Sequence, residues 1–383
     1  MEYRLDELGL VKRGRSKHRP RNAPELYGGK YPFVQTGDVK AAGLHLLSYK
    51  QTYNEVGLAQ SRLWPKGTLC ITIAANIAET SILGIDACFP DSVIGFIADK
   101  NKCDTRYIKY LFDYRLKSRS QQLSPGATQD NLSEEKLLSL KFSVPSVPEQ
   151  ETIAEKLGRY DALIENNTRR IAILEAKAQM LYKEWFVRKR GIGNVGGWHK
   201  GRLGDICSLK RGKNITSSEM KPGNIPVIAA GLEPSGYHDE ANVHGVSITM
   251  SSSGANAGFI NIHYSDIWAA DCAYASEGDT PNIYFAYEVL NNLRPVIDNF
   301  KMGAAQPHVY PKHINAIKIE VPPDSLMAEA NDRLATIHRM VANLQRQNAL
   351  LAKERDLLLP RLMSGRLSCA AHGSAPTQEE AMP

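Results

Sequence analysis

The sequence predicts an α+β chain: two repeated mixed α/β bodies separated by long helices that form an antiparallel coiled coil, pseudo-two-fold overall. Three observations carry this reading: a motif order that occurs twice, strand-like runs inside each copy, and a heptad seam after each copy. The chain's 383 residues are enough for two domains. Hydrophobic residues at 43% and charged residues at 23% exclude global disorder and allow two sizeable cores.

The repeat is read first, because duplication changes the meaning of every local pattern. LDELGLVKRGR from Leu5 is echoed by LGDICSLKRGK from Leu203, which sets the Lys-Arg-Gly triplets 198 residues apart. SPGATQDNLSEEKLLSLKFSVPS from Ser124 is echoed by KMGAAQPHVYPKHINAIKIEVPP from Lys301, with Gly126 on Gly303 and Gln129 on Gln306, an offset of 177. The shrinking offset gives the first body about 20 more residues than the second. Inside the bodies, GTLCITIA, DSVIGFIA, VSITMS and NAIKIEV combine β-branched residues with turn punctuation and predict strands. Residues 106–123 and 282–297 carry helix-spaced apolar residues at equivalent places.

After the first body, Ile153, Leu157, Tyr160, Ile164, Asn167, Ile171, Leu174, Ala178, Leu181 and Trp185 alternate spacings of four and three. After the second, Leu334, Ile337, Val341, Leu344, Asn348, Leu351, Arg355, Leu358 and Leu362 do the same. Such seams predict paired helices. In antiparallel pairing, facing residues have numbers of constant sum, and Asn167 with Asn348 gives 515, as do Leu157 with Leu358, Ile171 with Leu344 and Leu181 with Leu334. The two asparagines are therefore expected to fix the register. The predicted organisation is a first body at 1–148, a helix and linker at 149–190, a second body at 191–324, a second helix at 325–366 and a flexible tail at 367–383.

No apolar run is long enough to cross a membrane, and MEYRLDELGLVKRG lacks the basic-then-apolar pattern of an export signal; a cytoplasmic protein is expected. The six cysteines, 70, 88, 103, 207, 272 and 369, form no Cys-x-x-Cys pair and are read as reduced thiols. GIGNVGG at 191–197 has the glycine spacing of a dinucleotide loop but follows a helix, so it reads as a linker. No phosphate loop, paired-histidine zinc motif or nucleophile with its base is visible; catalytic, cofactor-binding and metal residues are expected to be none.

The net charge of +6 permits a polyanionic partner without requiring one. Its distribution is more informative. Lys12, Arg13, Arg15, Lys17, Arg19 and Arg21 occur together with no acidic residue among them, and Lys210, Arg211 and Lys213 follow in the second copy; both suit phosphate contact in basic turns. Gln129 and Gln306 could reach base edges or hold a turn. Thr72, Asn76, Ser251, Ser253 and Asn256 lie near predicted strand ends, where loops can read bases or cap turns.

Taken together, the two KRG-containing openings, the endings SPGATQDNLSEEKLLSLKFSVPSVPEQ and KMGAAQPHVYPKHINAIKIEVPP, and the helices closing in AQMLYKEWF and DLLLPRLMSGRL resemble the specificity subunit of a type I restriction-modification system. The resemblance covers about residues 3 to 367. It implies two target-recognition domains that read the halves of an interrupted double-stranded DNA site, and helical regions that space them and bind two modification subunits. It further implies that the chain is noncatalytic and binds no cofactor itself. S-adenosylmethionine would serve adenine methylation in the modification subunits, and ATP and Mg2+ the restriction subunits. The second copy departs where Pro-Glu-Gln before the first helix becomes Asp324, Ser325 and Leu326, which leaves that helix start open. Two other readings stay open: a protein-interaction scaffold without DNA specificity, and a stand-alone methyltransferase, whose glycine loop and Asn/Asp-Pro-Pro-aromatic signature are not visible.

Overall fold

The structure, a computed structural model, describes residues 2–74, 78–117, 133–189, 196–303 and 307–367. The chain divides into two compact units, Met1–Asn167 with Gln347–Pro383, and Thr168–Arg346. Each contains one body and a stretch of both long helices.

In the first unit the strands are β1 (Glu2–Arg4), β2 (Gly9–Arg13), β3 (Tyr27–Phe33), β4 (His45–Leu46), β5 (Gln51–Tyr53), β6 (Leu63–Trp64), β7 (Leu69–Thr72), β8 (Thr80–Leu83), β9 (Ala87–Cys88), β10 (Val93–Ala98) and β11 (Lys141–Ser143). A five-stranded sheet runs β2-β10-β7-β8-β4, a four-stranded sheet runs β5-β3-β9-β6, and β1 pairs with β11 as a two-stranded clasp. Strands β7 and β8 are buried throughout, although β8 begins with Thr80 and Ser81. The helix Thr105–Phe112 starts at Asp104, whose carboxylate accepts the Arg106 and Tyr107 amides, a standard N-cap. Its Ile108, Leu111 and Phe112 join Leu69, Ile71, Ile94 and Phe96 in one core that extends to Ile153, Leu157 and Leu362 of the long helices.

The second unit repeats the plan with β12 (His199–Arg202), β13 (Lys210–Arg211), β14 (Ile225–Ile228), β15 (Gly236–His238), β16 (Ser247–Ser251), β17 (Ile260–His263), β18 (Trp268–Ala269), β19 (Cys272–Ser276) and β20 (Lys318–Val321). Its sheets run β13-β19-β16-β17 and β15-β14-β18, and β12 pairs with β20 as the second clasp. The four-residue helices Leu5–Leu8 and Leu203–Ile206 start alike, with Glu7 and Asp205 accepting the Arg4 and Arg202 amides. The additional residues of the first body include the helix Thr36–Ala41 and strand β4, whose Val39 and Leu46 bury against Cys70 and Leu83 on one sheet face.

The expected helix at 106–123 is Thr105–Phe112 followed by a wider turn, Asp113–Lys117; residues 118–132 lie outside the described residues. The expected helix at 282–297 is two helices, Ile283–Asn292 and Arg294–Asp298, broken where Pro295 lacks an amide to continue the ladder.

The long helices are Val147–Tyr182 and Asp324–Met363. Every seam residue named above is buried or half-buried. Asn167 Nδ2 donates to Asn348 Oδ1 at 3.0 Å, the pairing whose sum is 515. At the first helix start, Gln150 is fully buried, accepts the Asp104 amide at 3.1 Å and donates to the Lys102 and Pro145 carbonyls. The second helix starts instead at Asp324, with the Leu326 and Met327 amides bonded to Pro323 O. Met327, buried in the core, stands where the repeat places Gln150, so apolar packing replaces a polar tie.

Candidate nucleic-acid interface

Lys12 and Arg13 end the edge strand β2, and Lys210 and Arg211 form the edge strand β13. The expectation that they sit in turns is corrected: they are sheet residues, and the turn begins at the glycine after them. Gly14 N donates to Val93 O at 2.8 Å and Arg15 N to Phe89 O at 3.0 Å. In the second unit Gly212 N donates to Cys272 O at 2.8 Å and Lys213 N to Ala269 O at 2.9 Å. A Cβ on Gly14 would lie 2.3 Å from Pro90 O, and one on Gly212 2.3 Å from Ala270 O. Only glycine lets these backbones touch, which explains the third letter of both Lys-Arg-Gly triplets.

Beyond Gly14, Arg15, Lys17, Arg19 and Arg21 stay exposed. The loop beneath them is braced: Ser61 donates to Arg15 O at 2.7 Å, and Gln60 Oε1 accepts the Lys17 and His18 amides. Arg21 pairs with Asp91 at 2.8 Å and Arg13 Nε donates to Asp91 O. Arg19 donates to the Ser16 and His18 carbonyls. Among the described residues Lys12, Arg15, Lys17 and Arg19 meet no carboxylate. The second unit differs. Lys210 Nζ lies 2.5 Å from Asp279; this bond holds the ammonium above its ordinary range and the carboxyl below its own. Lys213 Nζ sits 5.7 Å from the centre of the Trp268 ring, and Arg211 is exposed.

The β7–β8 and β16–β17 hairpins turn at the same end of each sheet. Val93, which receives the Gly14 bond, pairs with Thr72, and Cys272, which receives the Gly212 bond, pairs with Ser251. Thr72 and Ser251 are thus equivalent, and basic segment and hairpin loop meet at one sheet end in both units. Both residues are buried. Thr72 Oγ1 accepts the Glu79 amide at 3.0 Å, and Ser251 Oγ donates to Ala230 O at 2.8 Å. Each loop closes through a residue of positive φ, Ala78 at 66° and Gly258 at 81°, whose amide returns to Thr72 O or Ser251 O at 2.9 Å.

Ser253 is buried and donates to Asp271 at 2.9 Å, while Asn256 is half-buried at the loop turn. This loop is clamped by the residues that follow the repeated Gly-Ala-x-Gln motif of the second copy, at 303–306: Gly254 N donates to Pro307 O at 3.0 Å and Val309 N to Ser252 O at 2.9 Å. The structure therefore brings together Ser251, Ser253, Asn256, the basic strand end and the flanks of the motif. Asn76, Gln129 and Gln306 lie outside the described residues, as do linker residues 191–195, Cys369 and the tail from 368.

One feature went unread in the sequence. Beside this loop, Thr249, Ser251, Asn261 and His263 line a cleft of about 320 Å³ with Glu233 and Phe259. His263 Nε2 is 2.8 Å from Thr249 Oγ1, and burial pushes the imidazole down to about 4. The alternation of polar residues in SITMS and INIH was the available signal. In the first unit the equivalent positions are Cys70, Thr72, Ser81 and Leu83, and the sheet face is covered by Val39 and Leu46.

The five described cysteines are free and buried; burial raises Cys103, Cys207 and Cys272 to about 12. No group of three or more His, Cys, Asp or Glu able to hold a metal occurs among the described residues. No described helix is long and apolar enough to cross a membrane.

Comparison with known proteins fits this duplicated plan. The model of the type I restriction modification DNA specificity domain matches residues 1–176 and again 196–351, and the chain belongs to that family. A type I restriction enzyme specificity subunit (MjaIX) of Methanocaldococcus jannaschii is 25% identical over 90% of this chain and 88% of its own. The crystal structure of the type I restriction-modification S subunit from M. genitalium superposes with a TM-score of 0.56 at 21% identity, covering 94% of this chain and 95% of that one; the likeness is one of fold.

Proposed function

We propose that this chain is the DNA-reading subunit of a type I restriction-modification complex, recognising an interrupted site with one body per half. The observation that carries the proposal is the recurrence, in both units, of a basic edge strand that stops at an obligatory glycine beside the β7–β8 or β16–β17 hairpin loop. Positive side chains would meet phosphates, and the loop beside them would reach base edges, the usual division between positioning and specifying contacts. Lys12, Arg13, Arg15, Lys17, Arg19, Arg211 and, less freely, Lys210 and Lys213 take the phosphate role. Asn76, Asn256, Gln129 and Gln306 are the base-edge candidates. Thr72, Ser251 and Ser253 support the loops from within.

In this reading residues 1–148 and 191–324 are the target-recognition domains, 149–190 and 325–366 the spacer segments, and 367–383 a tail without a role in reading. The chain is noncatalytic and works in the cytoplasm. Two modification subunits methylate adenine with S-adenosylmethionine, and restriction subunits use ATP and Mg2+.

The test is adenine methylation mapped across the genome in matched strains with and without the chain. One interrupted motif is expected to depend on it, and replacing residues 1–148 with another recognition domain should change one half of that motif. A motif unaffected by the chain, or halves that do not follow their domains, would overturn the proposal.

A further inference from the structure

Each unit buries a polar cluster of ionisable side chains where its body meets a long helix, and the two clusters carry opposite charge patterns. In the first unit Tyr110, on the helix Thr105–Phe112, donates its hydroxyl to Asp161 of the first long helix, and Arg355 of the second long helix binds the other carboxylate oxygen. Asp161 is 2% exposed. In the second unit Glu288, on the helix Ile283–Asn292, lies 3.4 Å from Nε2 of His338 on the second long helix, and the two residues are 2% and 1% exposed. Tyr264 bonds His338 Nδ1 at 2.8 Å, Tyr284 stacks on the ring at 5.1 Å and Tyr287 meets it edge-on at 5.6 Å.

These clusters occupy the same place in the repeat. The heptad seams recur with an offset of 177, so Asp161 corresponds to His338 and Arg355 to Ala178. Tyr110 and Glu288 sit on the same turn of equivalent body helices. The body residue is neutral and the helix residue acidic in the first unit; the body residue is acidic and the helix residue basic in the second. At position 178 stands alanine, and His338 faces Glu288 instead, whereas Asp161 faces Arg355.

We infer that the two clusters are a charge key that assigns each body to its own helical segment. Duplication gives the chain two docking faces of similar apolar shape, and a second copy of the chain offers two more. The crossed pairings are mismatched: Glu288 against Asp161 would bury two carboxylates with one arginine, and Tyr110 against His338 would leave the imidazole without its acid. A buried charge whose partner is lost costs far more than a surface one. Tyr110, Glu288 and His338 are therefore positioning residues, and the inference holds whether or not the DNA reading does.

The test follows backbone hydrogen exchange in the two body helices of full-length variants, without DNA. Tyr110→Gln, which can still donate to Asp161, should keep protection of Thr105–Phe112 within about tenfold of wild type, whereas Tyr110→Glu should lose about a hundredfold. Adding Asp161→His to Tyr110→Glu should restore it, because this installs the second unit's pair with Arg355 as counter-ion. In the second unit His338→Asp should expose Ile283–Asn292 by a similar factor and His338→Gln should not. If a single charged variant fails to fold while its neutral counterpart and the double variant fold, the key is supported. Equal behaviour of the Gln and acidic replacements at both positions, or no rescue by Asp161→His, overturns it.

Discussion

His263 ties the stability of the second unit to pH. Its ordinary value of 6.5 falls to about 4 because burial disfavours the imidazolium. Between these values the unfolded chain binds a proton that the folded chain refuses, so stability rises with pH across that window. The stabilisation is complete above pH 6.5 and lost as pH falls toward 4, by up to about 3 kcal/mol. Thermal melting of the wild type and of His263→Gln across this range should show a steep wild-type dependence and a flatter variant; parallel curves would contradict the burial. At this scale the sequence was partly readable. The Lys-Arg-Gly triplets stood out, but the reason for Gly14 was not, since it lies in Phe89 and Pro90, some 75 residues further on. His263 gave only the polar alternation of INIH, because its environment depends on residues that cover the face in one unit and leave it open in the other.

Among the elements, the long helices were the most legible, because a heptad seam is local and its register is arithmetic. The Asn167–Asn348 bond at 3.0 Å has no counterpart at the repeat-related positions Ile171 and Leu344, which are apolar. A buried amide pair costs stability relative to leucine and specifies alignment. Replacing both asparagines with leucine should leave unfolding unchanged or raise stability by about 1 kcal/mol, while cysteine pairs introduced along the seam should begin to cross-link at slipped registers. A double variant that keeps one register would assign the alignment to the flanking residues. The body helices were less legible: their cores were visible as apolar periods, but the break at Pro295 was overridden by the run of apolar residues around it. The strand order was hidden entirely, since pairings such as β2 with β10 join residues about 80 positions apart.

Over the whole molecule, charge is unequally shared. Residues 1–148 hold 21 Lys and Arg against 15 Asp and Glu, whereas residues 191–324 hold 10 against 13. With Lys210 bound to Asp279 and Lys213 on Trp268, the second body has little free positive charge at its strand end. In the proposed complex the first body should therefore supply most of the salt dependence of DNA binding. Replacing Lys12, Arg15, Lys17 and Arg19 together with glutamine should reduce the slope of log K against log salt by about 3, and replacing Lys210 and Lys213 by less than about 1. Equal reductions would refute the asymmetry. The clasps carry a different consequence. Because β1 pairs with β11 and β12 with β20, the chain enters and leaves each body at adjacent points, on strands whose register is set by backbone bonds. A foreign body of another length and loop composition can be spliced between such points as long as it keeps the face that packs on the long helices. For a lineage, on the proposed reading of one body per half-site, this would make each body an inheritable cassette, so that one recombination event gives a new target half and leaves the other half unchanged.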